Sequence, residues 1–370
     1  MKHFKQLLMA ACMLAVAAIA AQAQAPKYIF YFIGDGMGMG PVMAAQTYKR
    51  VVRADAEPLT MMQFPVVAWC QTWSASSTTT DSAAAGTALS TGTKTRNGML
   101  GVAPDSTAVT SIATDLHNMG WGVGITTSVA ADDATPGAFY AHAPHRGMSY
   151  EIDLEAAACG YEFLAGAGLA GLNGDRHDDI FDALSGAGVQ VVYGPDGIEQ
   201  IDSRRVCLLN TERGKVGDIG YTIDTLSGNL TLPLITETCL AHLEKYSPEH
   251  FFMMVEGGNI DHALHANDGG TALKEVLNFD QAIEVAYRFY QQHPDETLIV
   301  VTADHDTGGM AVGNSYLSYH TNLPVIDHQR KSKEAFTDDC RAMLRDRRTY
   351  TWTTCAGNSP RISVSSRPFP

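Results

Sequence analysis

Five short segments carry residue types that can do chemistry together. YIFYFIGDGMG (Tyr28–Gly38) ends a hydrophobic run with Asp35, and DDATPGAFYAHAPHR (Asp132–Arg146) holds Asp133, Thr135 and Arg146. MMVEGGNIDHALH (Met253–His265) holds Glu256, Asp261 and His265, and IVVTADHDTGG (Ile299–Gly309) holds Asp304 and His305. The fifth, TDSAAAGTALSTGTKTRNGMLGV (Thr80–Val102), offers the hydroxyl of Ser82 behind Asp81. Carboxylates and imidazoles gathered in one place make sense only if cations neutralise them. Carboxylate oxygen with imidazole nitrogen suits zinc, and an all-oxygen set suits magnesium. Asp261 and His265, four residues apart, face the same way on a helical turn. Taken alone, Ser82 fits a helix cap as well as a nucleophile, Asp81 fits a cap, Asp35 a turn aspartate and Arg146 a surface arginine.

The elements that must position these groups are legible around them. Three segments open on strand-like runs, Tyr28–Ile33, Phe251–Val255 and Thr297–Thr302, with the polar groups just beyond. In an open α/β sheet, ligands bind outside the carboxyl ends of the strands, so segments distant in sequence can converge there. Val123–Val129 and Gln190–Tyr193 read as further buried strands. Helices are expected from about Pro41 to Val52, from near Ser82, and over Thr271–Gln292, where Leu273, Val276, Leu277, Phe279, Ile283, Ala286 and Tyr287 recur at helical period. Strands alternating with helices imply an α/β fold built on a large, mostly parallel central sheet flanked by helices on both faces. Residues 150–250 carry no recognisable chemistry; Gly160–Gly174 and short strands near Ile219–Leu232 read as peripheral loops and hairpins.

Composition sets the outer limits. The 370 residues, 18% charged, suffice for one large domain. A formal charge of −14 argues against nucleic acid or an anionic membrane as partner. Lys2 and Lys5, the apolar Leu7–Ala20 and the small-x-small sites Ala21-Gln22-Ala23 and Ala23-Gln24-Ala25 read as a signal peptide over residues 1–25, with a membrane anchor as the alternative. Cleavage would leave a single domain over residues 26–352 in the periplasm or outside the cell, without a membrane association. Six cysteines would remain, with no zinc-motif spacing and no pairing readable from the sequence.

As an ordered set, these motifs resemble the alkaline phosphatase family over about Lys27–Trp352. The resemblance implies hydrolysis of small phosphate monoesters by two zinc ions and one magnesium. Ser82 would be the nucleophile that becomes phosphorylated, Arg146 would clamp the phosphate and Asp81 would orient Arg146. Asp35, Asp304, His305 and Ser82 would serve the second zinc, and Asp261 and His265 the first. Asp35, Thr135, Glu256 and Asp133 would serve magnesium, with His262 tuning phosphate or magnesium binding through water. Oligomeric state stays open, a homodimer included.

The resemblance breaks in two places. The family's third ligand to the first zinc, a downstream histidine, has only the weak candidates His320, in HTNLPV, and His328. After Trp352 the chain turns Ser/Pro/Arg-rich and loses periodicity. One base inserted after that codon permits a helix-like reading in another frame, so residues 353–370 are expected to be out of frame, with a short divergent tail as the alternative. An inactive metal or phosphate binder and a related phosphodiesterase or sulfatase are the competing functions.

Overall fold

The computed structural model describes residues 25–212, 216–224, 228–313 and 321–345. The expected signal segment up to residue 24, His320 and the tail after Trp352 lie outside the described residues. Seven strands form one sheet: β1 (Tyr28–Gly34), β2 (Gly122–Thr127), β3 (Phe163–Gly166), β4 (Val189–Tyr193), β5 (Arg205–Leu209), β6 (Phe251–Glu256) and β7 (Thr297–Ala303). Their order is β4-β5-β3-β2-β6-β1-β7, and every adjacent pair is parallel.

The inner strands read as nearly unbroken apolar runs because helices cover both faces. Successive side chains point to opposite sides. Phe30, Phe32, Phe251, Met253 and Val255 therefore enter one core, with Leu273, Phe279 and Ile283 of the helix Gly269–Gln292 and Ile235 and Leu243 of the helix Leu232–Tyr246. Ile33, Ile125, Phe252 and Met254 enter the other, with Phe139, Ile152 and Ile180. Truncating a fully buried ring such as Phe279 to alanine would cost about 3–5 kcal/mol. At the edge, β7 is covered less: Leu298 and Val300 are 43% and 36% exposed.

The expected strands at Tyr28, Val123, Gln190, Phe251 and Thr297 form, as do the helices Met39–Val52, Ser82–Thr91 and Gly269–Gln292. Residues 150–250 differ from expectation. They supply β3, β4, β5 and the helix Leu232–Tyr246, all contributing to the cores rather than to a periphery. Gly160–Gly174 encloses β3, whose four residues are fully buried. Near Ile219–Leu232 the described residues form a 3-10 turn, Thr222–Asp224, and no strand. Among the described residues no helix is long and apolar enough to cross a membrane. Cys70, Cys159, Cys207, Cys239 and Cys340 are free thiols.

Candidate metal centre and nucleophile

β2, β6, β1 and β7 are neighbours, so their carboxyl ends deliver four loops to one place. Register brings the ends level: Glu256 pairs with Ile33 and with Thr127, and Ala303 pairs with Gly34. Asp35 and Asp304 then follow side by side, and Gly36 N–H donates to Asp304 Oδ1 at 2.9 Å. Gly36 has φ +64°, and a Cβ there would stand 2.6 Å from Asp261 Oδ1 and 2.8 Å from Thr307 Oγ1. Only glycine lets the β1, β6 and β7 loops meet this closely.

Ligand atoms of Asp35, Asp261 and His305 all lie within 4.8 Å of one another. This grouping crosses the division suggested by sequence, which assigned Asp35 and His305 to one zinc and Asp261 to the other. His305 Nε2 is 3.1 Å from Asp304 Oδ2 and 3.6 Å from Asp35 Oδ1. His265 Nε2 reaches Asp261 Oδ2 at 3.3 Å, with its side chain 71% exposed at the rim. Glu256 is fully buried and accepts a short hydrogen bond from Thr127 Oγ1.

The donor set fits cations. Asp261 Oδ1 and Thr135 Oγ1 are buried without a hydrogen-bond partner, and Asp304 Oδ2 is buried with only the His305 imidazole 3.1 Å away. Buried oxygens left short of partners are costly, and cations beside them would offset that cost. Protonation tells the same story. Burial, then the neighbouring Asp304, Asp261 and Glu256, push the Asp35 pKa well above the carboxylate range. Burial and Asp133 push Glu256 up to about 8. Burial also raises Asp304, against the opposing pull of His305 and of two backbone N–H bonds. Without cations the centre must hold protons; cations displace them.

Ser82 opens the helix Ser82–Thr91, and Asp81, not Ser82, is its cap: Asp81 Oδ1 accepts from Ala84 N–H at 3.0 Å. The hydroxyl of Ser82 is thereby left for the centre, 3.3 Å from His305 Nε2 and 3.5 Å from Asp35 Oδ1. Asp81 Oδ2 accepts from Gly98 N–H at 2.9 Å and lies 3.7 Å from an Arg146 nitrogen. Arg146 donates to Asp133 Oδ1 at 2.7 Å, with its side chain 35% exposed. Burial works against its charge, but Asp133, Asp81 and Asp35 outweigh it and raise its pKa. Asp133 Oδ1 also accepts from Ala134 N–H.

Every site residue expected from sequence within β1, β2, β6, β7 and their following loops thus reaches the same end of the sheet. His328 is exposed, and its backbone N–H donates to Val325 O. Sequence reasoning missed Thr127, Thr307 and Gly36. For Thr127 the available signal was a polar residue closing a buried strand. A cavity of about 500 Å³ adjoins the rim, lined by His262, His265, Tyr221, Lys333, Thr337 and Arg341 among others.

The family model described as alkaline phosphatase matches residues 26–165 and 169–339. The chain is 28% identical over 309 residues to alkaline phosphatase of Schizosaccharomyces pombe, covering 78% of this chain and 57% of that protein. The crystal structure of Thermus thermophilus alkaline phosphatase superposes with a TM-score of 0.77 at 28% identity, over 85% of this chain and 68% of that one. A point mutant of alkaline phosphatase from the Antarctic bacterium TAB5, with magnesium bound in its M3 site, superposes with a TM-score of 0.68 at 31% identity, over 78% of this chain and 80% of that one. The chain spans 57% and 60% of the lengths of its yeast relatives.

Proposed function

The chain belongs to the alkaline phosphatase family, and from that premise we propose that it hydrolyses phosphate monoesters through a covalent phosphoserine on Ser82, after export to the periplasm. The observation that carries this reading is the placement of the Ser82 hydroxyl. It sits at a helix N-terminus within 3.5 Å of both Asp35 and His305, beside carboxylate oxygens left short of partners. Asp35, Asp304 and His305 with Ser82 would hold the second zinc, Asp261 and His265 the first. Asp35, Thr135, Glu256 and Asp133 would hold magnesium. When bound, these cations neutralise the carboxylates and lower the pKa values of the serine hydroxyl and of water.

The chain's own groups do the rest. Arg146 exchanges its Asp133 contact for two phosphate oxygens, and Asp81 keeps the guanidinium aligned. Ser82 gives its hydroxyl proton to solvent water, its Oγ bonds to phosphorus, and the ester O–P bond breaks as the departing oxygen takes up a proton from water. The N–H groups of Ser82 and Ala83, ahead of the Ala84 N–H that Asp81 takes, would face the resulting dianion. A water oxygen then bonds to phosphorus as the Oγ–P bond breaks; one of that water's protons passes to Ser82 Oγ and the other stays on the phosphate. The rim cavity beside His265 gives the alcohol room to leave. Brief incubation with a phosphate ester at acidic pH, followed by peptide mass analysis, tests this. Phosphate on Ser82 is expected, and a wild-type rate in Ser82→Ala would refute the covalent route.

A further inference from the structure

His305 serves the centre through Nε2, the atom nearest Asp304 Oδ2, Ser82 Oγ and Asp35 Oδ1. A cation can take that nitrogen only if the proton resides on Nδ1 and the ring is held in plane. Nδ1 lies 3.2 Å from Thr307 Oγ1. Thr307 is itself fixed. It is 8% exposed, its N–H donates to Gly36 O at 3.1 Å, and its hydroxyl faces the space a Gly36 side chain would fill. The β1 loop thus holds Thr307, and Thr307 holds the ligand of the β7 loop.

We propose that Thr307 is a positioning residue whose hydroxyl accepts the Nδ1–H of His305 and so presents the Nε2 lone pair to the cation beside Ser82. A hydroxyl suits this place better than a carboxylate. It can accept or donate, so it matches His305 with or without a cation. It also adds no negative charge beside Asp35, Asp261 and Asp304.

This role rests on the reading of the centre as a zinc site, and its test separates the two. Zinc affinity of the full chain, measured by chelator competition, should fall 10–100-fold in Thr307→Val, the isosteric variant without a hydroxyl. Thr307→Ser should bind nearly as wild type. The cobalt-loaded Val variant should also show altered visible absorption, and metal-free variants should melt with metal-free wild type. Wild-type affinity in Thr307→Val, or an equal loss in Thr307→Ser, overturns the proposal. The expected affinity pattern in a chain that hydrolyses no phosphate ester leaves the positioning role standing and removes the phosphatase reading. A wild-type chain that binds no zinc removes both.

Discussion

Removing the cations should turn the centre into a pH-dependent weakness. Glu256 is fully buried, and its pKa rises from 4.5 to about 8, mainly by burial and then by Asp133. In the metal-free native state it keeps a proton that the unfolded chain loses near pH 4.5. Between these values the native state binds more protons, so stability falls as pH rises. Below 4.5 both states are protonated and the contribution is fully present; above 8 both are ionised and it is gone. The window is about 3.5 pH units wide, and at 1.36 kcal/mol per unit the loss is on the order of 5 kcal/mol. Asp35 and Asp304 shift the same way and deepen it. A domain holds about 5–15 kcal/mol in all. The assay is thermal melting from pH 5 to 9, chelator-stripped against reloaded with zinc and magnesium. The stripped protein should fall behind by on the order of 10 °C as pH rises. Parallel curves, or a stripped protein that gains stability over this range, would refute the reasoning.

Three further outcomes follow from the same geometry. Arg146→Ala should weaken inhibition by inorganic phosphate by about 1.5–3 kcal/mol, roughly 10–150-fold, while the melting temperature stays near wild type; an unchanged inhibition constant would make Arg146 a surface charge. Gly36→Ala, strained by about 1–2 kcal/mol at φ +64° and crowding Asp261, should reduce zinc content, which elemental analysis of the purified variant reads directly. On the proposed division of ligands, the 370-residue chain should bind about one zinc tightly, because Asp261 and His265 would be fewer than the usual three protein ligands of a catalytic zinc; two tight zincs by calorimetry would contradict that count and direct mutation to His320.

The candidate site was legible because Asp35, Glu256 and Asp304 stand at the ends of apolar runs, and the runs at Tyr28, Phe251 and Thr297 became adjacent strands. What stayed hidden depends on packing across the chain. Gly160–Gly174 looked like a loop because its glycines dominate. Yet Gly166 is glycine because its backbone passes close to another: a Cβ would sit 2.7 Å from Val129 O and 2.9 Å from Ala131 N. Sequence alone left Ser82 as a cap or a nucleophile, since aspartate and serine cap about equally well. Ala84 N–H donates to Asp81 Oδ1, so Asp81 is the cap and the Ser82 hydroxyl is free of that role. The Arg146–Asp133 pair joins residues 13 apart around a loop, a span to which no periodicity points.

The position of β1 between β6 and β7 also governs when the protein can fold. β1 is made first, but both its neighbours come from the last third of the described chain. The bond from Gly36 to Asp304 closes a separation of 268 residues. At 5–20 residues per second, the ribosome needs roughly 15–50 s to deliver the partner. Until β6 is made the apolar YIFYFI run has neither sheet neighbour, until β7 is made it has only one, and high contact order adds a slow search afterwards. A nascent chain shorter than about 305 residues contains no complete centre at all, so metal loading waits for the last strand. Under the export proposed above, that delay would leave the chain still unfolded when it is threaded across the membrane.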